Sequence, residues 1–309
     1  MADWLLPATR FALYLDLGLA FGWPAFCLYA LRGEQRNSGR VIPLSGPIIV
    51  FGGGGLLLSL LGMAAVVASM SGTPLVEVDP AMLQLIAQET PMGWAFMVRF
   101  AALLLVVAGG LAVRRAPAAG LWLASGAGAV ALATLAWNGH AGATEEWLGT
   151  VHLASDFLHL WASGLWVAAL FELFAMLARR EPDMRRLGVA QRALQGFSEL
   201  GTVIVGILVA TGIINGAIIL GGVDLWSVAS APYGQLLLIK LALFGAMLAL
   251  AALNRFRLTP QLEAALEAGE ARLAAQALRK SLAAETTAAL SILALVGWLG
   301  TLEPALSTI

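Results

Sequence analysis

Long apolar stretches separated by short polar segments dominate the chain. Each stretch reaches about twenty residues or more, the length that a helix needs to cross ~30 Å of hydrocarbon. We predict eight membrane spans, at residues 5–31, 43–71, 93–113, 118–138, 149–178, 197–221, 232–254 and 282–302. The alternating polarity of membrane barrel strands is absent. The pattern therefore predicts an all-α, polytopic helix bundle that forms a single integral membrane domain over residues 1–309.

Lysine and arginine fall in alternate loops. The loops after odd-numbered spans carry all the loop cations, whereas the loops after even-numbered spans carry acidic residues and no lysine or arginine. Cytoplasmic loops are enriched in lysine and arginine. We therefore predict that the odd loops are cytoplasmic, that both termini are periplasmic, and that the protein is a multi-pass component of the bacterial inner membrane, in contact with lipid.

The composition excludes several classes of function. Only 12% of the residues are charged, about half the fraction in an average soluble domain. No loop is long enough for a catalytic domain, and the G-x-x-x-x-G-K-[ST] pattern of a phosphate-binding loop does not occur. The single cysteine, Cys27, excludes a cysteine-based metal cluster. We predict neither an enzyme nor an ATP-driven pump, and no binding of nucleic acid.

The last cytoplasmic loop has a helical repeat of apolar residues. After a helix start at Thr259 and Pro260, the spacing predicts an amphipathic helix over about 260–280 that lies on the inner membrane surface. Its apolar stripe comprises Leu262, Leu266, Leu273 and Ala277.

The fifth span carries a histidine and aspartate stripe. His152, Asp156 and His159 are spaced at i, i+4 and i+7, which places them within about 60° of one helix face. His140 precedes this span, so all three histidines of the chain belong to one region. Imidazole is the commonest transition-metal ligand, and a carboxylate often accompanies it. Because His152 and His159 are about 10 Å apart along the helix axis, we predict stepped metal sites formed by His140, His152, Asp156 and His159.

A second set of ionisable residues also falls within predicted spans. Arg10, Asp16, Arg99 and Lys240 are candidate pathway charges, since charged groups at membrane depth are costly and usually paired or in contact with water. A cation path next to Arg99 or Lys240 requires that these side chains be neutralised. We expect both to pair with Asp156 or Asp16.

Several segments resemble the CopD family of bacterial copper-resistance and copper-uptake membrane proteins. They are GHA at 139–141, VHLASDFLHLWASGLWVAALFEL, FSELGTVIVGILVATGIINGAI, YGQLLLIKLALFGAMLALAALNRFRLTP and WLGTLEPA. The likeness is best over residues 120–309. Where most such proteins have paired glycines after the tryptophan, this chain has Val167, Ala168 and Ala169.

The resemblance implies that the metal is copper, of unspecified valence, and that it moves between periplasm and cytoplasm. It also implies a periplasmic copper-binding partner of the CopC type. By position, the histidines of the family correspond to His140, His152 and His159.

Three hypotheses follow. The leading one is a copper permease that moves the ion from periplasm to cytoplasm without nucleotide hydrolysis. The second is a b-type haem-binding membrane electron carrier, in which two histidines are axial ligands. The third is a copper-binding or copper-sensing scaffold that does not transport the ion.

Overall fold

The structure, a computed structural model, describes residues 4–31, 36, 42–138, 146–178, 184–221 and 229–302. This part of the chain is helical and has no strand, which confirms the all-α prediction. It contains the helices α1 Leu5–Ala30, α2 Ser45–Ser71, α3 Pro80–Glu89, α4 Pro91–Ala112, α5 Pro117–Ala133, α6 Glu146–Leu177, α7 Met184–Leu220, α8 Pro232–Leu253, α9 Thr259–Glu267 and α10 Ala271–Leu299.

Eight of these helices are long and apolar enough to cross a membrane, namely α1, α2, α4, α5, α6, α7, α8 and α10. They correspond one to one with the eight predicted spans, so the polytopic architecture is confirmed. The protein is a multi-pass membrane protein. The periplasmic placement of both termini stays a prediction.

Local sequence determines where several helices begin. Proline occupies the start of α3, α4, α5 and α8, where its missing N–H is not needed and its fixed φ suits the helix. Asp79 and Thr90 cap α3 and α4, accepting hydrogen bonds from the backbone N–H groups of Ala81 at 2.9 Å and Gly93 at 3.0 Å. The sequence reading did not include α3, which lies in the loop between the second and third spans.

Helix α1 is the centre of the bundle and packs against α2, α5, α6 and α10. Helix α6 packs against α1 on one side and α7 on the other, and it also contacts α10. Helix α8 packs mainly on α10 rather than on α7. The space bounded by α6, α7, α8 and α10 is therefore left partly open, and the cavities described below lie there.

Small residues allow the central helices to approach closely. A Cβ added at Gly22 of α1 would lie 2.5 Å from the Ala168 Cβ and 2.5 Å from the Gly164 carbonyl oxygen of α6. Ala168 is fully buried. The α1–α6 contact thus accommodates an alanine at 168 because glycine stands opposite, which explains how the chain tolerates its departure from the paired-glycine pattern.

The segment predicted as one amphipathic helix at 260–280 is divided between two helices. Helix α9 ends at Glu267, Gly269 takes a φ of 76° that favours glycine, and α10 starts at Ala271 and continues into the membrane. The predicted stripe is not formed, because Leu262 is fully buried while Leu273 is 77% exposed. The break at Gly269 changes the helix register, which the spacing of apolar residues alone did not reveal.

Candidate metal-binding cavity

Three predicted site residues line one cavity inside the bundle. His152, Asp156 and His159 project from α6 into a space of about 230 Å³, which we call the outer cavity after the predicted orientation. His152 is only 1% exposed. The stripe therefore faces protein and a cavity rather than acyl chains. Its role in binding metal stays a prediction, and His140 lies outside the described residues.

Helix α7 supplies a polar partner for each of two stripe residues. Asn215 Nδ2 donates to Asp156 Oδ1 at 2.5 Å, and His159 Nδ1 lies 2.8 Å from Thr211 Oγ1. The other amide atom, Asn215 Oδ1, is buried and has no hydrogen-bond partner among the described residues. A buried acceptor of this kind, beside a carboxylate and two imidazoles, suits a bound cation.

The Thr211 hydroxyl sets the tautomer of His159. Thr211 Oγ1 donates its one proton to the Ile207 carbonyl oxygen at 2.6 Å, so towards His159 it can only accept. The proton of the imidazole is thus assigned to Nδ1, which leaves the lone pair of Nε2 for a metal. Metal-binding histidines are commonly oriented in this way by a hydrogen bond to the other ring nitrogen.

Two of the candidate pathway charges belong to this cavity. Arg10 and Lys240 both line it, and Arg10 donates to the carbonyl oxygen of Gly300. Lys240 lines the same cavity as Asp156, and its pairing with that carboxylate stays a prediction. The cavity therefore contains the Lys240 amine together with the proposed metal ligands.

The other two candidate charges lie elsewhere. Arg99 is 3% exposed, and its Nε and Nη2 atoms donate to the hydroxyl and carbonyl oxygens of Thr134 at 2.7 and 3.3 Å. Asp16 packs against Gly54 and Gly55 of α2, with its Oδ2 atom unpartnered among the described residues. The expected pairing of Arg99 with Asp16 is wrong, because a threonine hydroxyl and a backbone carbonyl satisfy the guanidinium instead.

Sequence reasoning missed Thr211 and Asn215 as site residues. They are four residues apart on α7, hence on one helix face, and both are polar in an apolar span. That spacing is the signal that could have found them, because polar side chains in membrane helices often bond across a helix interface.

A second space, the middle cavity, continues from the outer one. It measures about 420 Å³, shares His159, Ser163 and Lys240 with the outer cavity, and is otherwise lined mainly by apolar side chains. Met247 contributes a buried thioether. The polar outer cavity therefore leads towards the centre of the bundle.

The potential metal ligands among the described residues are spread along the cavity rather than clustered at one point. In the described part of the chain, no group of three histidine, cysteine, aspartate or glutamate side chains is close enough to hold a metal ion by itself. The stepped metal sites stay a prediction. Fold and cavity together define an integral membrane protein with an intramembrane chamber of imidazole, carboxylate and amide groups.

Comparisons with known proteins identify the family. Residues 1–150 match the family described as Copper resistance protein D-like, N-terminal domain, and residues 191–299 match Copper resistance protein D. The chain is 41% identical over 315 aligned residues to Copper resistance protein D of Pseudomonas syringae pv. tomato, with 98% of each chain covered. A stretch of 121 residues is 36% identical to Copper transport protein CutJ of Bacillus subtilis (strain 168), covering 38% of this chain and 21% of that protein. No solved structure matches.

The protein therefore belongs to the copper resistance protein D family, as the resemblance indicated, and its function concerns copper at a membrane.

Proposed function

We propose that the protein is a permease, not an enzyme, that carries copper ions across the bacterial inner membrane from periplasm to cytoplasm without nucleotide hydrolysis. The observation that supports this most strongly is the outer cavity, in which His152, Asp156 and His159 share a chamber within the bundle. Its continuation into the middle cavity past His159 and Lys240 supplies the start of a route.

Copper is the cargo and the cavity residues act on it in sequence. His152 and His140 capture the ion at the periplasmic mouth, and Asp156 and His159 receive it one helical turn after another. A conducting path requires several weak sites rather than one tight one. The scattered donor set meets that requirement.

The membrane potential supplies the driving force for copper entry. Moving one elementary charge through 100 mV is worth about 2.3 kcal/mol, and an inside-negative potential favours inward motion of a cation. A periplasmic copper-binding protein of the CopC type is the proposed donor, and it would deliver copper at the mouth formed by the α6 stripe.

Copper accumulation in expressing cells tests the proposal. His152→Ala and His159→Ala should each abolish copper-dependent uptake with the amount of membrane-inserted protein unchanged. Leu158→Ala is the matched control, since this residue is next to His159 on α6 but is 46% exposed and does not line the outer cavity. Undiminished uptake in both histidine variants would refute the pore role.

The two alternatives are tested separately. A haem needs imidazoles on opposite sides of its ring, whereas His152 and His159 share one face of α6, so a haem would require His140 as one axial ligand. A Soret band in the purified protein would support this alternative, and we expect none. A non-transporting scaffold would bind copper yet give no flux in proteoliposomes. We expect flux.

A further inference from the structure

A third cavity lies at the opposite end of the bundle from the histidine stripe. It measures about 230 Å³ and is lined by the cytoplasmic-side ends of α6, α7, α8 and α10, as predicted from the loop charges. We call it the inner cavity. Its buried polar residues include Glu285 of α10 and Asn254, which follows α8, with 2% and 5% exposure.

Glu285 is held in place by two hydrogen bonds. Trp166 Nε1 donates to Oε1 at 3.0 Å, and Asn254 Nδ2 donates to Oε2 at 2.9 Å. An ionised carboxylate has about four acceptor positions, so about two acceptor positions of Glu285 are not used by these hydrogen bonds. The second amide atom, Asn254 Oδ1, is also buried and has no hydrogen-bond partner among the described residues.

The backbone around Asn254 is itself unusual. Residues Asn254–Leu258 form a π-helical turn, a feature that often occurs at functional sites. The nearby cation Arg255 is exposed, and its guanidinium donates to Thr202 Oγ1 at 2.6 Å. Arg255 thus lies at the rim, while the buried side-chain atom of the cavity that lacks a partner among the described residues, Asn254 Oδ1, is an acceptor.

Trp166 connects this site with the route described above. Its indole lines both the middle and the inner cavity, and it contacts Phe244 edge to face with ring centroids 6.2 Å apart. The Trp166 ring is therefore the partition between the two spaces, fixed on one side by Phe244 and on the other by Glu285.

We infer that Glu285 and Asn254 form a second, inner cation site, which receives the ion after it passes Trp166. This inference rests on the proposed transport function. The inner site offers carboxylate and amide oxygens, whereas the outer cavity offers imidazole nitrogens as well. Cupric ion accepts both donor types, and its electron paramagnetic resonance spectrum distinguishes nitrogen from oxygen ligands.

Binding of cupric ion to the purified full-length protein tests the site directly. The wild type should bind an ion with an oxygen-only signal in addition to a nitrogen-ligated one. Glu285→Gln should lose only the oxygen-only signal, because glutamine keeps the size and one acceptor but not the charge. Glu285→Asp keeps the charge and should retain that signal with weaker affinity. His159→Ala should alter only the nitrogen-ligated signal.

Flux in proteoliposomes, followed with a trapped copper chelator, is the second measurement. Glu285→Gln should slow cupric flux at least tenfold, whereas Glu172→Gln should stay within twofold of the wild type. Glu172 is the matched control because it is equally buried, at 2% exposure, but lines none of the three cavities.

The outcomes distinguish the permease proposal from the proposal of an inner cation site. A wild type without flux refutes the permease while the binding experiment still decides on the inner site. An oxygen-only signal that is absent from the wild type, or that survives unchanged in Glu285→Gln, overturns the inner site whatever the flux. Equal loss of signal in Glu285→Gln and Glu285→Asp assigns Glu285 a packing role and also overturns it.

Discussion

Thr211→Val is a sharp test of how the outer cavity prepares a ligand. Valine matches the shape of threonine but cannot accept the His159 Nδ1 proton, which is now 2.8 Å from the Thr211 hydroxyl oxygen. A buried donor left without a partner costs about 1–3 kcal/mol. In the variant, His159 should therefore turn to the other tautomer, with its proton on Nε2.

The free energy needed to restore the metal-binding tautomer then weakens the affinity for copper. Binding through Nε2 must restore the unfavourable tautomer, so about 1–3 kcal/mol is lost, which corresponds to roughly a 5- to 150-fold weaker Kd. This range agrees with the 10- to 100-fold typical of groups that orient a metal ligand. Competition of the purified protein with a chelator of known copper affinity measures the change.

Thr287→Val provides the control. The hydroxyl of Thr287 is exposed and, among the described residues, bonds to the Ala283 carbonyl of its own helix at 2.9 Å, so copper affinity should be unchanged. Copper binding by Thr211→Val at wild-type strength would refute both the tautomer assignment and the participation of His159 Nε2.

Two further variants probe the charge and the packing of the bundle. Lys240→Met should tighten copper binding, because the cavity that Lys240 lines loses a side chain that repels a cation when protonated. The only other lysine of the chain, Lys280, gives the control Lys280→Met, and unchanged affinity in both variants would contradict the reasoning. Gly22→Ala should lower the free energy of unfolding in detergent by about 1–3 kcal/mol, since its Cβ would lie 2.5 Å from α6. Gly53→Ala, where an added Cβ meets nothing within 4 Å, should have much less effect.

The spans and the stripe could be predicted because both depend on spacing within one helix. Twenty apolar residues must cross the bilayer as a helix, and the separation of His152, Asp156 and His159 fixes their common face. Neither inference requires knowledge of which helices touch.

Contacts between helices could not be predicted in this way. The partners Thr211 and Asn215 depend on how far α7 slides along α6, and a single sequence does not contain that register. Arg99 shows the same limit, because a guanidinium at depth needs acceptors but not a carboxylate, and Thr134 supplies two of them. Charge complementarity alone pointed to the wrong residue.

The position of Lys240 bears on selectivity. An ion that enters the outer cavity would meet the Lys240 amine, which lines the same space as Asp156, and a protonated amine repels a cation. Sodium and potassium gain little from imidazole nitrogen, whereas copper stands at the top of the affinity order for such donors. If the protein is the proposed permease, an ion that gains from His152 or His159 would offset this repulsion, whereas the abundant monovalent cations would not, so Lys240 would exclude them from the path.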